Sequence, residues 1–171
     1  MTRSNTPPPS THSGARHWGH AQDNHLIDPY KRSKKLAEPT VCPQCGAVYH
    51  EGRWRWAERP AGAHEDLCQA CHRINDNFPA GVVTLSGKFL GQHRDEILHI
   101  VRRQEAIEKP EHPFNRIMKI EETGDQIVVT TTNIHLPRRI GEALEGSFDG
   151  ELDFKYDEDG YFLRVDWRRD D

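Results

Sequence analysis

The sequence predicts an α+β protein: a four-cysteine zinc ribbon, then an amphipathic helix, then a small β-β-α-β-β antiparallel domain. Three observations carry that expectation. All four cysteines fall in two Cys-x-x-Cys units, Cys42/Cys45 and Cys68/Cys71. A helical hydrophobic period runs through "SGKFLGQHRDEILHIVRRQEAIE", residues 86–108. From Phe114 the period changes to two, interrupted by one further helical stretch, and a switch between these periods marks a change of element.

Composition sets the bounds. The chain has 171 residues, 35% hydrophobic and 29% charged. That is enough for one ordinary domain or two small ones. Small domains bury a smaller share of their surface, so a core this poor calls for some other source of stability. No apolar run approaches the roughly 18 residues of a membrane span. The start, "MTRSNTPPPSTHSGARHWGH", lacks the apolar segment of a secretory signal. A cytoplasmic location is expected, and there paired cysteines are metal ligands or redox groups more often than disulfides. The net charge of −4 is uneven. Residues 1–40 hold six Lys/Arg against three Asp/Glu, residues 41–110 nine against nine, and residues 111–171 eight against fifteen. Any polyanion contact is therefore expected in the front half.

Residues 1–38, rich in Pro, Ser, Thr and His, read as a disordered basic tail. Within it "PYKRSKKLAEP" gathers Lys31, Arg32, Lys34 and Lys35. It reads either as a solvated linker or as a phosphate-contacting arm. Residues 39–84 hold both cysteine pairs among turns and short strands, the expected ribbon. Residues 85–110 form the connecting helix, with Phe89, Leu90, Ile97, Leu98, Val101 and Ile107 on its stripe and Glu105 and Lys109 at a favourable i,i+4 spacing. Pro110 and Pro113 end it. Residues 111–169 form the last domain. "FNRIMKIEE" and "QIVVTTT" flank a "TGD" turn, "LPRRIGEALEGSF" is helical with Ile140, Leu144 and Phe148 on one face, and "ELDFKY" and "YFLRVDW" flank "DEDG".

Each Cys-x-x-Cys makes a tight turn that aims two thiolates at one point. Two such turns, here 22 residues apart, close a tetrahedron around one ion. The expected occupant is one structural Zn2+, with rubredoxin-like iron as the alternative of the same geometry. Four sulfur ligands leave no open position for water, so the metal is not expected to be catalytic. Pro43 stiffens the first turn, and Gly46 lets the backbone approach the thiolates.

Enzymatic motifs are weak. In "GVVTLSGKF" five residues separate Gly81 from Gly87 and Phe89 follows Lys88, so the phosphate-binding loop pattern is not met. His93, Glu96 and His99 recur at helical spacing and read either as a solvated face or as a second metal site. "RWRW" puts Trp54 and Trp56 on one face of a strand and Arg53 and Arg55 on the other. It reads either as a lid over the metal site or as a nucleic-acid grip in which arginines meet phosphates and aromatics stack bases. Arg73, beside the second cysteine pair, joins the nucleic-acid candidates.

Taken together, "CPQCG", "RWRW", "PAGAHEDLCQACHRI", "FPAGVVTLSGKFL", "HRDEILHIVRRQE", "EHPFNRIMKIEE", "VVTTTNIHLPRRIGEAL" and "GELDFKY" resemble a family of small, mostly uncharacterised bacterial zinc-ribbon proteins, sometimes labelled ATPase. The resemblance covers roughly residues 28–169. The cysteine region resembles more weakly the N-terminal zinc ribbons of the archaeal and eukaryotic adaptor that accompanies the large ribosomal subunit during export. That resemblance implies zinc on Cys42, Cys45, Cys68 and Cys71, and contact with RNA or the ribosome. The expected function is a non-enzymatic, zinc-stabilised RNA- or ribosome-associated protein. The alternatives are a protein–protein adaptor using the acidic C-terminal domain, and a metal-dependent enzyme with a second site on the 86–108 helix.

Overall fold

The computed structural model describes residues 28–158 and 160–171. The first 27 residues of the expected tail lie outside the described residues. Mixed helix and sheet is observed, as the periodicities require, in two sheets.

The first sheet is small. Strands β1 (Thr40–Val41), β2 (Ala47–His50), β3 (Arg53–Trp56) and β4 (His64–Glu65) lie in the order β3-β2-β1-β4. β1 and β2 flank the first cysteine pair and pair antiparallel, Val41 opposite Val48. β2 and β3 form a hairpin around Glu51 and Gly52, both at positive φ (51° and 79°), the backbone that matches a two-residue turn to the twist of its strands. Helix α1 (Gln69–Asp76) follows. The sequence reading of this region as turns and short strands misses it, for a physical reason. Its buried residues are Ala70, Cys71 and Arg73, so hardly any aliphatic stripe marks it. It is specified at its ends instead. Cys68 caps it by accepting the Cys71 N–H, and Asn77 closes it in the left-handed conformation.

The second sheet has five strands in the order β6-β7-β5-β9-β8, built from β5 (Gly81–Ser86), β6 (Ile117–Thr123), β7 (Gln126–Thr131), β8 (Glu151–Tyr156) and β9 (Leu163–Arg168). Both expected hairpins are present, as is helix α3 (His135–Phe148). The purely antiparallel domain is corrected. β5 is the central strand, antiparallel to β7 and parallel to β9, so the sheet is mixed. It also begins inside the 39–84 segment assigned to the ribbon. "GVVTLS" alternates, with Val83 and Leu85 fully buried and the residues between them half-buried. That half-buried alternation is what a strand with one covered face shows.

Helix α2 (Lys88–Glu108) is no mere connector. Its Phe89, Leu90, Ile97, Leu98 and Val101 pack with Leu136, Ile140 and Leu144 of α3 onto Val83, Leu85, Ile127, Val129, Val165 and Trp167. Both helices thus cover one face of the sheet, the usual way an α+β domain closes its core. Gly141 lets α3 come close: a Cβ there would stand 2.8 Å from both Leu152 and Val165 side chains. Ile107 lies off the buried stripe and is 53% exposed. Glu105 accepts the Ile117 N–H at 2.8 Å, an anchor between α2 and β6. On the uncovered face, Lys119, Lys155, Arg164 and Arg168 interleave with Glu121, Glu151, Asp153 and Asp166, all exposed. Among the described residues no helix is long and apolar enough to cross a membrane.

Candidate metal centre

Cys42, Cys45, Cys68 and Cys71 come together from two turns. Cys42 follows β1, and its turn closes through Gly46 N–H to Cys42 O (2.9 Å) and Cys42 N–H to Ala47 O (2.8 Å). Gly46 stands at φ 81° with open space where a Cβ would be. Its role is therefore the left-handed backbone rather than the avoided clash read from the sequence. Cys68 caps α1 and Cys71 sits in the helix's first turn, where the dipole favours negative charge. The four sulfurs lie within 4.8 Å of one another. Cys45 and Cys68 sulfurs are 3.8 Å apart. Sulfurs bonded at 2.3 Å to one tetrahedral ion stand about 3.8 Å apart, whereas a disulfide needs about 2.05 Å. The thiols are free. Geometry and donor set fit a metal ion, and among the described residues no other group of three or more such side chains does.

Backbone and side chain both feed the sulfurs. Cys68 N–H donates to Cys42 Sγ and Cys71 N–H to Cys68 Sγ, each at 3.4 Å. Arg116, just before β6, reaches across from the second sheet. Its Nη1 donates to Cys71 Sγ (3.4 Å) and its Nη2 to Cys45 Sγ (3.2 Å) and Cys68 Sγ (3.8 Å). Burial works against its charge, but the Cys71 hydrogen bond and the Cys45 charge outweigh that and hold it more firmly protonated than an ordinary arginine. In the metal-free cluster Cys45 and Cys68 share one proton. The hydrogen bond from Cys68 lowers Cys45 to about 4, and the same bond with burial pushes Cys68 up. These opposite shifts describe one pair: the first proton leaves easily and the second does not. Burial raises Cys71 to about 11 against the pull of Arg116.

No protein-family profile, no curated protein and no solved structure matches the chain.

The candidate nucleic-acid residues divide. Arg73 is corrected: it is fully buried, with Nη2 2.6 Å from the Asp28 carboxylate and Nη1 donating to Phe78 O at 3.0 Å. Its guanidinium lies 4.4 Å from the Tyr30 ring centroid. This anchor holds residues 28–30 of the expected tail against α1. Trp54 and Trp56 turn inward. Trp54 packs beside Phe114 and the cysteine cluster. Trp56 donates its Nε1–H to Lys109 O (2.8 Å) and lies under Arg116, 5.5 Å from its centroid. Arg55 binds His50 O and Glu51 at 3.2 Å. Arg53 stays exposed.

Lys31, Arg32, Lys34, Arg53 and Trp54 nevertheless share one place. They line a cleft of about 540 Å³ between the cysteine module and the second sheet, with Tyr30, Tyr49, Phe114 and Tyr161 contributing aromatic wall. Four cations face a single carboxylate there, Glu111. Arg32 is also 2.5 Å from Asp66. Lys35 is exposed and outside the cleft. A second cavity of about 570 Å³ shares His112, Asn115 and His135 with the first and adds Arg138 and Arg139 opposite Glu108 and Glu142.

His93, Glu96 and His99 do not assemble a ligand set. His93 stacks on Phe89 at 4.0 Å and meets Glu96 at 3.2 Å. His99 does not join them: among the described residues only the four cysteines gather three or more ligand atoms. The sequence reading passed over Arg116, Asp28 and Tyr30. Arg116 meets sulfurs 45 to 71 residues away, and nothing local marks it.

Proposed function

We propose that the protein is a non-enzymatic, zinc-stabilised RNA- or ribosome-associated protein, with a zinc ribbon at Cys42, Cys45, Cys68 and Cys71. Its RNA-contacting surface is the cleft between the ribbon and the second sheet. The observation that carries this reading is the convergence in that cleft of Lys31, Arg32, Lys34 and Arg53 with half-buried aromatic rings. Cations track a phosphate backbone and aromatic faces take unpaired bases in any sequence. A cleft of this volume lies in the range that accepts a ligand the size of a nucleotide. A single strand or loop fits this concave patch of charge better than a duplex, because its bases can turn into the pocket. Four thiolates close the metal site, so zinc here stabilises and does not catalyse. The acidic excess of residues 111–171 is not gathered on the uncovered sheet face, where both signs interleave, which weakens the adaptor reading.

The test is sedimentation of the protein from cell lysate through a sucrose gradient at low and high salt. Migration with ribosomal particles at low salt, lost at high salt, is expected. Protein that stays at the top in both salts removes the ribosome from the reading.

A further inference from the structure

We propose that Arg116 is an integral part of the metal centre, and that it makes metal loading and the docking of the second sheet onto the cysteine module one event. This inference stands whether or not the cleft binds RNA.

A buried guanidinium needs a counter-charge. Arg73 has one in Asp28. Arg116 is only 6% exposed, and among the described residues no carboxylate forms an ion pair with it. Its counter-charge is sulfur. A divalent ion bound by four thiolates carries a net charge of −2, and one arginine at contact reduces it to −1. The guanidinium is spent inward: Nε donates to Pro113 O (2.6 Å), Nη1 to Cys71, and Nη2 to Cys45 and Cys68. Its backbone N–H donates to Thr132 Oγ1 at 3.2 Å, tying it to the far end of β7.

The fork therefore bridges three things. It touches the first cysteine turn at Cys45, the second at Cys68 and Cys71, and its stem belongs to the second sheet. An ion holding both turns fixes the sulfurs at the spacing the planar fork matches. Without the ion only the backbone N–H bonds to sulfur and the Cys45–Cys68 contact hold that spacing, and the fork's acceptors are held more loosely. The rest of the seam is thin. It includes Trp56 Nε1–H to Lys109 O and the Trp54–Phe114 ring contact at 6.1 Å. Removing the Arg116 contact leaves these and the Arg73 guanidinium 5.5 Å from the Tyr161 ring among the contacts that hold the modules together.

The experiment uses the full metal-loaded chain and compares wild type, Arg116→Met and Arg116→Lys. It measures the rate of metal transfer to a colorimetric chelator and hydrogen exchange of the amides over residues 109–117. Partners that support metal ligands typically change metal affinity by about 10- to 100-fold when lost. Arg116→Met is expected to speed transfer by that factor and to raise exchange over 109–117. Arg116→Lys keeps the charge without the fork and is expected to fall between. Metal-free wild type is expected to show the raised exchange over 109–117 as well. Because that arm needs no substitution, it decides the matter if Arg116→Met does not fold. Wild-type transfer rates in a folded Arg116→Met protein overturn the proposal. So does full protection of residues 109–117 in metal-free wild type.

Discussion

Deleting the Asp28 carboxylate tests how the basic arm is held. Arg73 has no exposed side-chain surface, and Asp28 has 7%. In Asp28→Ala the guanidinium keeps one hydrogen bond, Nη1 to Phe78 O at 3.0 Å. Its Nη2 loses a 2.6 Å ionic partner, and its Nε has none already. Stranding one member of a buried ion pair costs about 3–5 kcal/mol. Against a total stability of roughly 5–15 kcal/mol for a domain, that is a large fraction. Urea unfolding followed by tryptophan fluorescence measures it. The midpoint should fall steeply at unchanged slope, since the surface exposed on unfolding hardly changes. The double variant Asp28→Ala/Arg73→Met should be less destabilised than Asp28→Ala alone, because no charge is then left stranded. A loss below about 0.5 kcal/mol, the scatter of ordinary surface substitutions, would refute the reasoning and leave the arm held by contacts such as Tyr30 to Asp76 and Arg32 to Asp66.

Two further predictions concern the metal. In the metal-free cluster at neutral pH, burial keeps the proton on Cys71 and the Cys45 hydrogen bond keeps it on Cys68, while Cys45 is already ionised. Metal binding must expel at least these two protons, so affinity falls as pH falls, by at least about 100-fold per pH unit. Calorimetry in buffers of different ionisation enthalpy counts them; release of clearly fewer than two protons per metal contradicts the assignment. Elemental analysis should give one metal ion per chain. A second ion that disappears in His93→Ala would restore the site on α2, where no ligand cluster forms among the described residues.

Much of the architecture was legible because it is written in local periods. The stripe of α2, the two hairpins and α3 all follow from residues close together in the chain. The cysteine cluster was legible because each Cys-x-x-Cys is local and its chemistry leaves few partners. What escaped depends on distance. β5 looked like part of the cysteine region because nothing in "GVVTLS" says which strands will flank it, and β9 lies some 80 residues away. Helix α1 escaped because its buried side includes an arginine, which no hydrophobic period registers. Arg73 read as a nucleic-acid residue for the same reason. Its charge is visible in the sequence, while its partner Asp28 is 45 residues upstream. The arm's basic residues and "RWRW" are both visible in the sequence, but only the fold brings Lys31, Arg32 and Lys34 into one cleft with Arg53.

The central claim is that this cleft binds single-stranded RNA, and its most direct test is fluorescence anisotropy of a labelled single-stranded oligonucleotide titrated across salt concentrations. Each phosphate contact contributes about −0.7 to the slope of log K against log salt for a single strand. The four cations of the cleft therefore predict a slope near −2.8 if all are engaged. In Lys31→Ala/Arg53→Ala the affinity should drop and the slope should become shallower by about 1.4. Binding with an unchanged slope in that variant, or no binding by the wild type at low salt, contradicts the cleft as an RNA site.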